Sequence, residues 1–368
     1  MARDVTTSDM IVYGSRVSYY TGKLEAYLRY KGIAYQSAPT PYGKPQRLIE
    51  NVGAIQMPII ECGDGRWMSD TTPILLQLEQ EDPGSTILPV NPVVNFIARL
   101  IEDYGDEWLW RPAMHFRWSY PHDRMLISNV LVDEVTQDVP APRFLKRRRI
   151  ERRQVKSYVE RDGVTASTRA HVEQGYHRAL ANMTRMLETR PFLLGDAPSL
   201  ADYGMMGPMF RHFGQDPTPA EIMRTTAPVI FEWVARMWNA KPAAQQNFVD
   251  TVPDDAQPML KEICETHLVQ LAANAESYAA DQKRFAMTVQ GCDYTDIATS
   301  RYRVWCLEKL REAFAALADD DQKTVRGLLP YPEAEIVWYE DAPAQSGYDP
   351  ENKLPFGKAI NVFPGGTP

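Results

Sequence analysis

The sequence predicts a mixed α/β N-terminal domain followed by an all-α domain, and three observations carry that prediction. Short apolar runs alternate with helical periodicity over the first eighty residues. Beyond Pro83-Gly84 and Leu88-Pro89 the apolar spacing becomes helical. The 368 residues, 44% hydrophobic and 24% charged, are enough for two domains and a further element.

In chain order, Met10 to Tyr13 reads as a buried strand and Gly14 to Gly22 as a turn. Lys23 to Lys31 carries Leu24, Tyr27 and Leu28 at helical spacing, with Gly32 as its stop. Ile33 to Gln36 returns as a strand, and Thr40 to Val52 is polar and rich in turn formers. A strand entered through Pro58 covers Gln56 to Ile60. Gly63-Asp64-Gly65 is a hairpin signal, and Arg66 to Met68 is the returning strand. Ile74, Leu75 and Leu78 place a helix over Thr72 to Gln80. Further helices are expected over Val93–Trp110, Leu126–Val135, Thr168–Arg190, Ser199–Phe213 and Ala227–Asn239. Asp254 to Ala279 and Arg301 to Leu317 repeat the pattern, and a tail rich in Pro, Gly, Tyr and Trp closes the chain. The expected units are residues 10–82, 90–245, and a helical extension with its tail, 246–368, packed on the second.

The net charge of −8 does not advertise nucleic-acid binding. Between Pro142 and Tyr158 eight cations crowd together, either as a surface for an anionic partner or as a solvated helix face. Cys62, Cys264, Cys292 and Cys306 are scattered, without metal-ligand or disulfide-scaffold spacing, and the histidines form no ligand motif. No metal is expected. With no cleavable signal pattern and no apolar run of about 18 residues, a cytoplasmic protein without a membrane partner is expected.

Three weak signals in the N-terminal segment could together hold a thiol peptide. Ser18 lies before a helix, where a hydroxyl or backbone N–H can stabilise a thiolate; it is equally a plain turn serine. Pro58 enters a strand where no donor is lost, and Met57 before it can offer its backbone to an extended peptide. Asp70 and Thr71 open a helix, suited to an ammonium and a carboxylate respectively, although Ser69 or Asp70 could serve only as the N-cap. Tyr13, Tyr19 and Tyr20 are rival thiol donors. Farther on, Ser199 caps a helix and Asp202, three residues later, completes a capping box, a folding role.

The run Ser18 to Leu24, the Met57-Pro58 step and Asp70-Thr71-Thr72-Pro73-Ile74 together resemble the glutathione S-transferase superfamily, and Phe192 to Asp202 resembles the buried capping motif of its helical domain. The resemblance covers about residues 10 to 240. It implies a thioredoxin-like N-terminal domain, an all-helical glutathione-transferase-like second domain and glutathione as co-substrate. It further implies Ser18 beside the thiol, Met57, Pro58, Asp70 and Thr71 as the peptide cradle, and a homodimer. Asp70 and Thr71 depart slightly from the family's usual Glu-Ser. The second substrate would lie against Ile101 to Tyr120, whose aromatic residues are otherwise core, with His115 either an acid–base group or a satisfied histidine. Serine in place of cysteine points to conjugation, dehalogenation or ether cleavage of a small apolar or aromatic electrophile, not disulfide exchange. The alternative is a non-catalytic scaffold, which the atypical 128 residues after 240 favour.

Overall fold

The computed structural model describes residues 10–243, 247–339 and 345–360. Its N-terminal segment is a four-stranded mixed sheet in the order β2-β1-β3-β4. Strand β1 (Ile11–Gly14) pairs in parallel with β2 (Gln36–Pro39) and antiparallel with β3 (Ile59–Glu61), which pairs antiparallel with β4 (Trp67–Ser69). Successive side chains leave opposite faces of a strand. Ile60 therefore joins the main core with Val12 and Met68, while Ile59 packs with Leu48 and Val52 on the other face.

Three sequence expectations need correction here, the first being the turn read over Gly14–Gly22, whose last four residues are already the first turn of the following helix, capped by Ser18. The strand placed at Ile33–Gln36 begins only at Gln36. The preceding helix, α1 (Tyr19–Lys31), ends on left-handed Gly32, and the cap draws in Ile33, whose N–H bonds the Leu28 carbonyl at 2.9 Å. The stretch read as polar turn contains a helix, α2 (Gln46–Val52). Leu48 and Val52, four residues apart, were its signal.

Helix α3 (Thr71–Glu81) completes the sheet domain. The helix expected over Val93–Trp110 is interrupted: α4 (Pro92–Asp103) passes through a π turn at Tyr104–Trp108 into α5 (Trp110–Ser119). Helices α6 (Pro121–Val135), α7 (Arg143–Gln154), α8 (Arg169–Leu187), α9 (Leu200–Pro208), α10 (Pro217–Thr226) and α11 (Pro228–Asn239) follow. The observed architecture is thus a thioredoxin-like α/β region followed by a large all-α region. The basic stretch is α7, which buries none of its residues and pairs Arg143 with Asp133 and Arg147 with Glu151.

Helix α9 packs between α1 and α4. It approaches so closely that a Cβ on Gly204 would stand 2.4 Å from the Glu102 Cα. Only glycine permits that crossing. The capping box at its start is present. Buried Asp202 accepts from the Ser199 N–H (2.9 Å), the Ser199 hydroxyl (2.7 Å), the Leu193 N–H (2.9 Å) and the Trp233 indole (3.2 Å).

The residues after 246 are not purely helical. Helix α12 (Gln257–Glu262) continues through a π turn into α13 (Val269–Ala279). An antiparallel hairpin of β5 (Arg284–Val289) and β6 (Cys292–Ala298) then intervenes, turning on Gln290 and Gly291, both with positive φ. The alternation of Phe285, Met287 and Val289 before Gly291 is a strand signal that the helical reading of the region passed over. Helices α14 (Arg301–Ala315) and α15 (Asp319–Leu328) pack on α4. Among the described residues no helix is long and apolar enough to cross a membrane.

Four acceptor bonds converge on Asp202 while Ser199 supplies two of the donors. Asp202→Ala should therefore cost about 3 kcal/mol in urea unfolding and Ser199→Ala about 1 kcal/mol. Equal costs would contradict this division of roles.

Candidate functional site

A cleft of about 290 Å³ opens between the sheet domain and the helices. Ser18, Met57, Pro58, Asp70 and Thr71 all line it, although they come from three separate loops. The opposite wall is aromatic. Tyr20 stacks on Trp110 (5.6 Å between centroids), Trp110 meets Tyr158 edge-on (5.5 Å), and Met114 and Trp118 lie beside them. Of the aromatic stretch read as pocket or core, the structure divides the members. Trp110 lies half-buried in the cleft; Trp118 borders the cleft but is buried in the core with Tyr104, Trp108 and Phe116. His115 is not a cleft residue: its ring nitrogens pair with Glu173 and Ser119 at 2.9 Å, which is the satisfied-histidine role.

Ser18 is the N-cap of α1, in extended conformation, and its hydroxyl oxygen accepts from the Thr21 N–H at 3.4 Å. Its backbone N–H is spent on the Ser15 carbonyl. The hydroxyl proton has no acceptor among the described residues. The rival tyrosines are committed elsewhere. Tyr19 donates to the Gly105 carbonyl, Tyr20 to the Asp106 carbonyl (3.0 Å) and Tyr13 to Glu61 (2.8 Å). Burial, reinforced by the Asp106 and Glu107 charges, holds the Tyr19 and Tyr20 hydroxyls well above their ordinary pKa. No cysteine lines the cleft, so a thiol would have to arrive with a ligand.

The Met57-Pro58 peptide is cis, and the Met57 N–H and carbonyl have no hydrogen-bond partner among the described residues. Asp70 occupies a left-handed conformation, φ 73°, which is strained for a residue with a Cβ. It is partly exposed as a whole, yet its Oδ2 is buried and unpartnered, while Oδ1 accepts from the Tyr302 hydroxyl at 3.1 Å. Burial pushes this carboxyl up to about 7, against the opposing pull of the Tyr302 hydrogen bond and the Lys23 charge. Buried Thr71 stands at the first position of α3, where the leading N–H groups lack helical acceptors.

Several positioning residues carried no sequence signal. The Ser18 loop is gripped from α6 by Glu134, which accepts from the Ser15 hydroxyl (2.5 Å) and the Arg16 N–H (3.1 Å). Buried Arg117 donates to the Val17 carbonyl (2.6 Å) and is fixed by Asp216 at 2.7 and 2.8 Å. These partners lie about a hundred residues from the loop, and no spacing rule connects them. His212 lies in the wall under Tyr19 and Trp110; burial, with Arg117 nearby, keeps it neutral. Ser300, the N-cap of α14, and Tyr302 and Arg303 in its first turn complete the rim. Among the described residues no group of three or more His, Cys, Asp or Glu is placed to hold a metal ion.

Residues 12–86 match the family model described as glutathione S-transferase, N-terminal domain. The matched segment is the sheet domain, which is similar to the N-terminal domain of glutathione S-transferases; the residues after 86 lie outside the match. A comparison with curated proteins gave no match. Similar solved structures include a glutathione S-transferase from Rhodospirillum rubrum F11, 16% identical, covering 69% of this chain and 92% of its own, TM-score 0.42. The beta-etherase LigF from Sphingobium sp. strain SYK-6 is 18% identical, with 64% and 97% covered and TM-score 0.44. A GST-like protein from Pseudomonas syringae is also 18% identical, with 67% and 78% covered and TM-score 0.43.

Because the folded Asp70 carboxyl sits above its ordinary 3.8, folding disfavours its ionised form. Its neutral form is fully compatible with the fold below about pH 4, and the cost of ionising it in place grows as pH rises through about 7. In thermal melts of the ligand-free protein, Asp70→Asn should gain in Tm relative to wild type between pH 5 and pH 8. A difference that is flat with pH, or falls, would contradict the burial of this carboxyl.

Proposed function

We propose that the protein is a glutathione-dependent transferase that activates the glutathione thiolate for attack on a small apolar or aromatic electrophile. The observation that carries the reading is the uncommitted Ser18 hydroxyl proton at the start of α1, beside tyrosines whose protons are already given to carbonyls. Ser18 acts as a hydrogen-bond donor. The thiol proton leaves to solvent, and Ser18, with the positive end of α1, stabilises the remaining thiolate. The sulfur forms a bond to an electrophilic carbon, and the leaving group departs with the electron pair of the bond that breaks.

The peptide is held on the other side of the same cleft. The free Met57 backbone suits an extended chain, Asp70 an ammonium, and Thr71 with the first N–H groups of α3 a carboxylate. The electrophile packs against the aromatic side chains of Tyr20, Trp110 and Trp118 and the thioether of Met114, a wall with few polar groups.

Calorimetric titration with glutathione tests the reading directly: saturable binding is expected, and its absence into the millimolar range would favour a non-catalytic scaffold. Ser18→Ala should raise the pKa of the bound thiol, followed by thiolate ultraviolet absorbance, and slow transfer to an aryl halide by roughly 10²-fold. An unchanged rate would move the thiolate donor to the backbone N–H of Tyr19.

A further inference from the structure

We propose that Tyr302, on the extension, is a positioning residue of the thiol-peptide site, holding one oxygen of Asp70 so that the other receives the α-ammonium group of the peptide. The inference deepens the transferase reading and rests on it.

The extension reaches the cradle at several points. The Tyr302 hydroxyl donates to Asp70 Oδ1 at 3.1 Å. The Tyr348 hydroxyl donates to Gln56 Oε1 at 3.3 Å, next to Met57. The Pro355 carbonyl accepts the Ser69 N–H at 3.0 Å on the open edge of β4, and the Ala359 N–H bonds the Val52 carbonyl at 2.8 Å. Residues 348–359 therefore strap the two loops that present Met57 and Asp70.

Tyr302 is itself held firmly. Its ring packs against Trp305 (5.4 Å) and edge-on against Tyr348 (5.0 Å). The next residue, Arg303, is buried and bonds Asp162 at 2.9 Å and Glu107 at 3.4 Å. Such a hydroxyl is a fixed donor, and a fixed donor selects one rotamer of the carboxylate it touches.

What remains is an asymmetric carboxylate. Oδ1 is satisfied by Tyr302, and Oδ2 is buried without a partner. An unpaired buried carboxylate oxygen is costly, and a charged ammonium is the group that relieves it most. The hydroxyl also favours the ionised form that an ammonium requires, since it is the largest influence opposing the rise of the Asp70 pKa. Facing the same carboxylate are Lys23 and the Thr72 backbone N–H, which favour its ionisation, Glu102, which opposes it, and the neutral Tyr348 hydroxyl and Cys306 thiol, whose ionisation its charge discourages.

The test compares full-length wild type with Tyr302→Phe, which keeps the ring and removes only the hydroxyl, by calorimetry from pH 6 to pH 9. Two peptides are used: glutathione, and N-acetylated glutathione, which has no ammonium. Wild type should prefer glutathione. In the variant, glutathione affinity at pH 7 should fall by about tenfold, with the acid limb of binding displaced to higher pH, affinity largely recovered at pH 9, and N-acetylated glutathione little changed. Turnover of the bound peptide should stay within about twofold. Unchanged glutathione binding in the variant, or equal loss for both peptides, overturns the inference while leaving the transferase reading standing. Failure of wild type to bind glutathione at all removes both.

Discussion

The ammonium of Lys23 is the point on which the two halves of this molecule meet. It is fully buried, 2.5 Å from both Glu102 and Asp106, and 3.0 Å from the Thr72 hydroxyl. Burial alone would lower its pKa; attraction to Asp106 and Glu102 more than offsets this and holds the group protonated, above its ordinary value. A buried ion pair of this kind contributes little net stability, because both partners lose their hydration, but removing one partner strands the other's charge. Its role is therefore geometric. One cation ties α1, the start of α3, the end of α4 and the π turn into a single arrangement, and Thr71 and Glu107, next in sequence to two of its partners, line the cleft.

The π turn depends on the same junction. One extra residue between Asp103 and Leu109 turns Asp106 toward Lys23 and Glu107 toward Arg303. Glu107 is driven up to about 8 by burial, with Arg303 opposing. Arg303 shares Asp162 with Arg111, which in turn reaches Gln270, and His267 pairs with Asp103 at 2.6 Å. Through this chain of buried polar contacts the C-terminal residues are bound to the helices that shape the cleft. Ser300, Tyr302 and Arg303 among them are built into the wall of the cleft.

Much of the candidate site was legible because each part has a local reason for its residue type. Ser18 precedes a helix, Pro58 enters a strand and Asp70-Thr71 start a helix, and the structure puts all of them on one cleft. The capping box was legible for the same reason, since it spans only four residues. Legibility ended where the decisive partner was remote. Arg117, Glu134 and Tyr302 act on loops 100, 119 and 232 residues away, and each belongs to a helix whose pattern reads as ordinary core or surface. The choice among Ser18 and the neighbouring tyrosines was equally closed to sequence, because it turns on which hydroxyl protons already have acceptors.

By itself the sequence determined the α/β-then-α order, most of the helices, and the residues from which a thiol-peptide cradle could be made. These follow from periodicity, caps and turn residues, which act over one or two turns of chain. Tertiary structure decided the rest: the burial of Lys23, the commitment of the tyrosyl protons, the hairpin at Arg284–Ala298, and the packing of α14 that brings Tyr302 onto Asp70. Those features depend on which groups lose water together, and desolvation is a property of packed neighbours that sequence spacing does not encode.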